Sequence, residues 1–374
     1  MKKRVAVIFG GRSGEHEISI RSAKTVIEQI DPAKYEIVPL AISRSGAWLT
    51  PEQSIELFPE ATRTTFIDRY GPASQVRGLL TGDSSIGGFV GFGDLNEEPP
   101  VIDVIFPVLH GTYGEDGTIQ GLFEMSGLPY VGCGVLASSC GMDKVTMKIL
   151  FRDAGLPICR YVWFLRSEWD IDPDKVIEQT VAKIGLPCFV KPANLGSSVG
   201  ISKASTPEEL RSAIDLAAEY DRKIIVEEAI EMRELECAVM GNDSPEASLP
   251  GEYVILDESK RFLDYTEKYS GTGNNEFVVP APISEELSQR VRQMAVTAFK
   301  AVDGSGLARV DLFLRNDNGA LLMNEINTLP GLTDASGFPK MWAASGKPLP
   351  QLIDELIELA IERFEDRRRN KTII

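Results

Sequence analysis

Short apolar runs that end in glycine alternate with amphipathic stretches over the first third of the chain. Residues 5–9 form an apolar run closed by Gly10-Gly11, which predicts a buried strand and a tight turn. Residues 19–30 carry helical spacing, 36–42 predict a second strand and 101–108 a third, ending at His110-Gly111. Residues 118–126 read as a helix. Strands separated by helices predict a parallel sheet. Residues 78–100, rich in Gly and acids and without a period, read as a long surface excursion.

The pattern then changes. Helices are predicted at 143–154, stopped by Gly155-Leu156-Pro157, and at 174–184, stopped by Gly185 and Pro187. Strands are predicted at 161–165, 188–191, 199–203 and 223–227. Thr206-Pro207-Glu208-Glu209 opens another helix with a capping Thr, Pro in the first turn and Glu three residues after the cap. A third region predicts sheet at 234–240, 253–256 and 262–265, a Gly/Ser/Asn loop at 268–275 and a helix at 284–301. Strands at 307–314 and 321–327 flank the turn Asn316-Asp317-Asn318-Gly319. A last helix at 349–364 gathers Leu352, Ile353, Leu356, Ile357, Ala360, Ile361 and Phe364 on one face.

Composition narrows the class. The 374 residues include 43% hydrophobic and 25% charged side chains, as in ordinary globular proteins, and the length predicts two or three domains. The net charge of −16 argues against nonspecific binding to nucleic acid or an anionic membrane. It leaves room for a small anion held by a local cluster of Lys and Arg. Five cysteines without CxxC spacing suggest neither a disulfide framework nor a zinc site and fit reduced thiols in the cytoplasm. No apolar stretch is long enough for a membrane span, and 5–9 is too short for a signal peptide.

Candidate chemistry sits between the elements. The loop Pro192-Ala193-Asn194-Leu195-Gly196-Ser197-Ser198-Val199-Gly200 joins two strands, with Lys191 just before it. Its backbone N–H groups and serines can approach phosphate oxygens, although a plain glycine hairpin accounts for the same residues. The pattern GxxxxGK[ST] is absent, so the ordinary P-loop does not apply. Asp311, Glu325 and Asn327 lie in strands that can pair as a hairpin. Glu325 and Asn327 share a face, and Asp311 joins them if the register permits. Three oxygen donors on one side of a sheet suit Mg²⁺ completed by waters and phosphates. The competing reading is a solvated polar face, which the apolar neighbours Val310, Leu312, Leu322 and Ile326 weaken. Arg309 and the Gly331 N–H can both face a developing oxyanion, or form only a salt bridge and a turn. Glu15, in Gly10-Gly11-Arg12-Ser13-Gly14-Glu15-His16-Glu17, would repel a pyrophosphate and suits a cationic amine. His110 has no metal-ligand or triad spacing around it.

Together these stretches resemble the D-alanine–D-alanine ligases of the ATP-grasp superfamily. The resemblance runs through Val7-Ile8-Phe9-Gly10-Gly11, Glu15-His16-Glu17-Ile18-Ser19, His110-Gly111, Gly114-Glu115-Asp116-Gly117-Thr118-Ile119-Gln120-Gly121, Met142-Asp143-Lys144, Lys191-Pro192, Gly196-Ser197-Ser198-Val199-Gly200, Arg309-Val310-Asp311 and Asn324-Glu325-Ile326-Asn327-Thr328-Leu329-Pro330-Gly331. One stretch alone would be weak, but the ordered set over nearly the whole chain is specific. It implies an α/β (α+β) ATP-grasp fold: an N-terminal parallel-sheet domain at 1–130, a central subdomain at 131–227 and a C-terminal subdomain at 228–374. It implies ATP-dependent joining of two D-alanines through an acyl phosphate, for peptidoglycan precursor synthesis. It also implies two Mg²⁺ or Mn²⁺ ions and a cytoplasmic homodimer.

Residue by residue, the resemblance makes Lys144 and Lys191 phosphate-contacting lysines, Glu227 the adenine-side acid and Glu234 the ribose-binding one. Gly196, Ser198, Glu228, Ile230, Lys268 and Asn324 complete the implied nucleotide set, and Asp311, Glu325 and Asn327 are the implied metal ligands. Glu15, Ser197 and Tyr269 correspond to a hydrogen-bonded triad that anchors the first D-Ala, with Lys268 and Tyr269 in the family's closing loop. His110 would assist at the first carboxylate, Arg309 and Gly331 at the oxyanion, and Ser336 at the second carboxylate. The resemblance leads one to expect a side chain larger than Gly337 beside the second substrate, so the size preference there stays open. Tyr269 favours a dipeptide over a lactate ester. D-Ser or D-lactate as second substrate, another ATP-grasp nucleophile, and a nucleotide-sensing protein without turnover are the alternatives. The last is disfavoured because Arg309, Asp311, Glu325 and Asn327 are all present.

Overall fold

The computed structural model describes residues 2–75, 77–86, 89–92, 101–196, 199–255 and 275–371. β1 (Lys3–Gly10), α1 (His16–Gln29) and β2 (Tyr35–Ile42) open the fold; α1 begins three residues before the expected start. α2 (Pro51–Ile55) and α3 (Glu60–Tyr70) follow. α2 is opened by a capping box in which the Gln53 N–H donates to Thr50 Oγ1 and the Thr50 N–H donates to Gln53 Oε1, both at 3.1 Å. β3 (Arg77–Leu80) and β4 (Phe89–Phe92) form an antiparallel hairpin that falls, but for Arg77, in the stretch 78–100 expected to be irregular. Four-residue strands rich in glycine are too short to display a period. β5 (Val104–Pro107) completes a parallel sheet in the order β2-β1-β5, followed by α4 (Thr118–Ser126). The Gly10 N–H donates to Ser19 Oγ at 2.7 Å and the Ser19 hydroxyl donates to the Val108 carbonyl at 2.6 Å. These two bonds fix α1 against the ends of β1 and β5.

The middle of the chain contains α5 (Val135–Met142), α6 (Lys144–Asp153), β6 (Tyr161–Leu165), α7 (Arg166–Ile171), α8 (Pro173–Lys183), β7 (Cys188–Pro192), β8 (Ser202–Ala204), α9 (Pro207–Tyr220) and β9 (Lys223–Glu228). The strands form an antiparallel sheet, β6-β9-β7-β8, with its own core of Phe164, Val190, Leu210, Ile214 and Val226. The strand expected at 199–203 starts at Ser202, because Val199 and Gly200 turn and Gly200 sits at φ +72°.

The last part holds β10 (Met232–Gly241), β11 (Glu246–Ala247), β12 (Gly251–Ile255), β13 (Asn275–Val278), α10 (Glu285–Ala301), β14 (Gly306–Arg315), β15 (Leu321–Asn327), α11 (Gly337–Ala344) and α12 (Leu349–Arg367). Its antiparallel sheet runs β13-β12-β10-β14-β15, with β11 on β10. The strand expected at 262–265 and all but Asn275 of the loop expected at 268–275 lie outside the described residues.

Alternation along β10 and β14 gives this sheet two faces. Leu235, Cys237, Val239, Ala308, Val310 and Leu312 bury against Val291, Ala295, Ala298 and Phe299 of α10. On the other face Ala238 and Met240 join Val7 and Phe9 of the N-terminal sheet, Trp342 of α11 and Leu356 of α12 in a single core. Arg363 of α12 adds polar ties to this junction, donating to the carbonyls of Tyr130 (2.9 Å) and Gly132 and to Ser305 Oγ (2.7 Å). The segment between α6 and β6 is linked to the C-terminal sheet by a bridge between Ile158 and Met323. All five cysteines are free thiols, and among the described residues no helix is long and apolar enough to cross a membrane.

Candidate active site

The functional face of the C-terminal sheet is ordered along its strands. Register pairs Glu236 with Asp311, Asp311 with Glu325, and Arg309 with Asn327. Asp311, Glu325 and Asn327 therefore share a face, as the sequence allowed. A bulge after Asp311 moves the pairing on to Leu312 and Met323 and leaves Asn324 between the two registers. Toward one end of this face lie Phe313 and Leu322, which close an apolar cluster with Cys159, Ile230 and Met232. Glu234 follows, opposite Phe313, then the carboxylate row, then Arg309 and Asn327.

Asp311 is 1% exposed. Arg309 Nε and Nη2 donate to its two oxygens at 2.7 and 2.6 Å, and Nε lies 3.4 Å from Glu236 Oε1. Burial raises the Asp311 pKa, Arg309 opposes the shift, and Glu325 and Glu234 add to it, leaving it raised. Asn327 Oδ1 accepts from the Leu329 N–H at 2.9 Å. Among the described residues no cluster of three or more His, Cys, Asp or Glu forms a closed metal cage. The donor set is instead two carboxylates and an amide oxygen on one face, which fits a hard cation that keeps waters and substrate oxygens.

Lysines crowd the neighbouring space. Asp143 caps α6 by accepting from the Val145 and Thr146 N–H groups at 3.1 and 2.9 Å, which sets Lys144 at the first helical position. Lys144 Nζ donates to the Leu195 carbonyl at 2.6 Å, at the base of the glycine loop that contains Gly196. Burial lowers its pKa, Glu325 and Glu227 oppose this, and Lys191 and Lys148 reinforce it. Glu227, 3% exposed, lies between Lys148 Nζ (2.8 Å) and Lys191 Nζ (2.6 Å). Burial alone would raise its pKa, but the two ammonium groups hold it well below the usual carboxylate range. Glu228 accepts from the Arg160 N–H and Nε, both at 2.9 Å.

A second wall comes from the N-terminal region. Glu15 stands at the N-cap of α1, its N–H donating to Ser13 Oγ at 2.9 Å while the Ser13 hydroxyl donates to the His110 carbonyl at 2.7 Å. His110 is buried, with Nδ1 3.1 Å from the Leu329 carbonyl oxygen and 3.6 Å from Glu115 Oε1, and Nε2 3.1 Å from Ser22 Oγ. Burial disfavours its charged form, but Glu115, Glu15 and the Leu329 carbonyl outweigh this and raise its pKa. Glu15 is pushed up to about 7 by burial and the Glu115 charge, against His110 and Arg309. At the far end Ser336 stands at the N-cap position of α11, but its Oγ turns back, lying 2.8 Å from Thr333 Oγ1 and accepting from the Thr333 N–H at 3.2 Å.

One cavity of about 390 Å³ is lined by Glu15, His110, Arg309, Asn327, Gly331, Ser336 and Gly337. Glu15, His110, Arg309, Gly331, Ser336 and Gly337, from distant parts of the chain, thus line one space. Lys144, Lys191 and Glu227 form a contiguous charged group beside Glu325. Ser197, Ser198, Lys268 and Tyr269 lie outside the described residues. The sequence reading missed Lys148, although it stands four residues after Lys144 and so shares its helical face. It also missed Glu115, Glu236 and the cavity-lining Tyr253, whose roles depend on cross-strand and loop geometry.

Residues 4–133 match the family model of the D-ala D-ala ligase N-terminus, and residues 150–358 match that of the D-ala D-ala ligase C-terminus. The chain belongs to the D-Ala–D-Ala ligase family. A D-alanine–D-alanine ligase of Ruminiclostridium cellulolyticum is 48% identical, the match covering 99% of this chain and 98% of that one. One from Heliobacterium modesticaldum is 45% identical, over 100% and 98%. Among solved structures, the D-alanine–D-alanine ligase from Coxiella burnetii superposes with a TM-score of 0.79 at 35% identity, covering 98% of both chains. VanG D-Ala:D-Ser ligase from Enterococcus faecalis does so with a TM-score of 0.81 at 37% identity, covering 96% of this chain and 100% of that one. The expected mixed α/β ATP-grasp fold with an N-terminal parallel sheet is thus the fold of this ligase-family chain.

Proposed function

We propose that the chain joins two D-alanines to D-alanyl-D-alanine, with ATP converted to ADP and phosphate, in the cytoplasmic synthesis of peptidoglycan precursors. The observation that carries this reading is the shared cavity in which Glu15 and His110 face Arg309, Asn327, Gly331 and Ser336. A carboxylate oxygen of the first D-Ala attacks the γ-phosphorus, and ADP leaves. The amine of the second attacks the resulting acyl phosphate carbonyl, loses a proton, and phosphate departs.

Each residue then has a task. Ionised Glu15 holds the first ammonium, with Ser197 and Tyr269 as its partners, and His110 sits by the first carboxylate. Ile230, with the apolar cluster around Phe313 and Leu322, takes the adenine base. Glu227 lies at the adenine side while orienting Lys148 and Lys191; Glu228, Glu234 and Asn324 complete the nucleotide contacts. Lys144, Lys191, the loop through Gly196 and Ser198, and Lys268 neutralise phosphate charge, because positioning and electrostatics dominate phosphoryl transfer. Asp311, Glu325 and Asn327 would hold two Mg²⁺ or Mn²⁺ ions, which supply charge neutralisation at the phosphates. Arg309 and the Gly331 N–H stabilise the oxyanion. Ser336 and Gly337 border the second substrate. The reading includes a homodimer and a division at 1–130, 131–227 and 228–374.

The kinship to a D-Ala:D-Ser ligase supports a second reading, with D-Ser as acceptor. ADP release coupled to product mass analysis, with D-Ala alone and then with D-Ser or D-lactate added, separates the two. Mg²⁺-dependent ADP formation with D-Ala and a dipeptide product is expected; no ADP with any D-amino acid overturns the ligase reading.

A further inference from the structure

The room left by glycine at position 337 is already filled. A Cβ on Gly337 would lie 2.6 Å from Glu236 Oε2 and 2.9 Å from Phe277 Cζ. The same ring tip presses on Gly251, where a Cβ would meet Phe277 Cζ at 2.3 Å. Two glycines from α11 and β12 thus receive one phenyl ring from β13. The register explains why: Gly251 pairs with Glu236 and Tyr253 with Phe277, so alternation puts all four on one sheet face. The rings of Tyr253 and Phe277 stand 4.7 Å apart at 55°, and Tyr253 lines the cavity together with Ser336 and Gly337. Glu236, 2% exposed, closes the remaining side and is anchored by Arg309 Nε at 3.4 Å.

We propose that Tyr253, backed by Phe277 and Glu236, forms the side wall of the acceptor subsite and limits the second substrate to a D-amino acid with a very small side chain. This rests on reading Ser336 and Gly337 as the acceptor end of the cavity. The tilted Tyr253–Phe277 pair, with Phe277 seated against the Gly251 and Gly337 backbones, leaves the ring little room to move aside. Excluding one or two methylenes is a discrimination that packing alone can supply, on the order of 10–200-fold.

The test uses the full-length enzyme with D-Ala as first substrate and D-Ala, D-Ser, D-2-aminobutyrate or D-norvaline as acceptor. ADP release and product mass are read for the wild type, Phe277→Ala, Phe277→Leu and Tyr253→Val. Expected is a rise of about tenfold or more in the ratio of kcat/KM for D-norvaline to that for D-Ala in the Phe277 variants, without a change in KM for ATP. Phe277→Leu keeps an apolar side chain and serves if Phe277→Ala does not fold. Variants that make the dipeptide with the wild-type acceptor ranking overturn the wall. A wild type that forms no ADP with any D-amino acid instead overturns the ligase reading, which separates the two failures.

Discussion

Arg309 and Asp311, two residues apart on one strand, clasp each other through paired hydrogen bonds of 2.7 and 2.6 Å. Alternation puts both on the cavity face, and the planar fork of the guanidinium matches the carboxylate. Arg309 is therefore held in place on the cavity wall before substrate arrives, as the proposed oxyanion role requires. Arg309→Met is expected to lower kcat by about 10²–10³-fold, the scale of losing one oxyanion donor. KM for ATP should change little. Arg309→Lys should recover only part of the loss, since an ammonium cannot reproduce the fork. Steady-state kinetics of the three proteins decide it; equal kcat values would remove Arg309 from the chemistry.

Glu227 is the counter-charge of the buried Lys148 and the partly buried Lys191. Its removal leaves Lys148 and Lys191 facing each other with Lys148 fully buried. Glu227→Gln is expected to destabilise the protein by about 3–5 kcal/mol, the range for a buried ion pair that loses one partner. Lys148→Met should cost less, because Lys191 still neutralises the carboxylate. Urea denaturation measures both, and the order of the two variants is the discriminating result.

The Glu15 carboxyl, raised to about 7, must ionise to hold an ammonium. The amino group of D-Ala stays protonated through neutral pH, so kcat/KM for the first D-Ala should rise with pH to a plateau above about 7. That limb should vanish in Glu15→Gln, along with most activity. Stability has the opposite sign. The folded state binds the proton more tightly than the unfolded chain, so stability falls as pH climbs from about 4.5 to about 7. Glu15→Gln should flatten this slope, and thermal melts across pH 4–9 would reveal it.

Gly111 sits at φ +72°, and a Cβ there would come within 2.9 Å of Glu15 Oε2 and 3.0 Å of Ser13 Oγ. Gly111→Ala should therefore displace Glu15 as well as strain the backbone. We expect a rise of tenfold or more in KM for the first D-Ala with KM for ATP unaffected, and a stability loss of about 1–2 kcal/mol from the left-handed conformation. Parallel changes in both KM values would point to general unfolding instead.

Much of this arrangement was legible in the chain. The 307–314 and 321–327 runs predicted the hairpin, and β14 and β15 pair in the register that puts Asp311 beside Glu325. Apolar runs closed by glycine predicted the N-terminal parallel sheet, because a buried strand needs continuous hydrophobicity and glycine permits the turn. What escaped had short-range signals too brief to carry a period, as in the β3–β4 hairpin and in the five-residue α2, whose Thr50–Gln53 capping box opens less than two turns of helix. The aromatic wall escaped for another reason. Phe277, Gly251 and Gly337 are far apart in sequence, and only the strand register shows that one fills the space the others leave.

The distribution of hydrophobic cores has a mechanical corollary. Glu15, Arg309 and Ser336 stand on parts of the molecule welded through one apolar mass and stitched by Arg363, whereas Lys191 belongs to a sheet with separate packing. Rocking of that sheet would alter the proposed grip on phosphates while the two proposed amino-acid seats kept their spacing. The Glu227 carboxylate, touching Lys148 on one side and Lys191 on the other, is the pin across this joint.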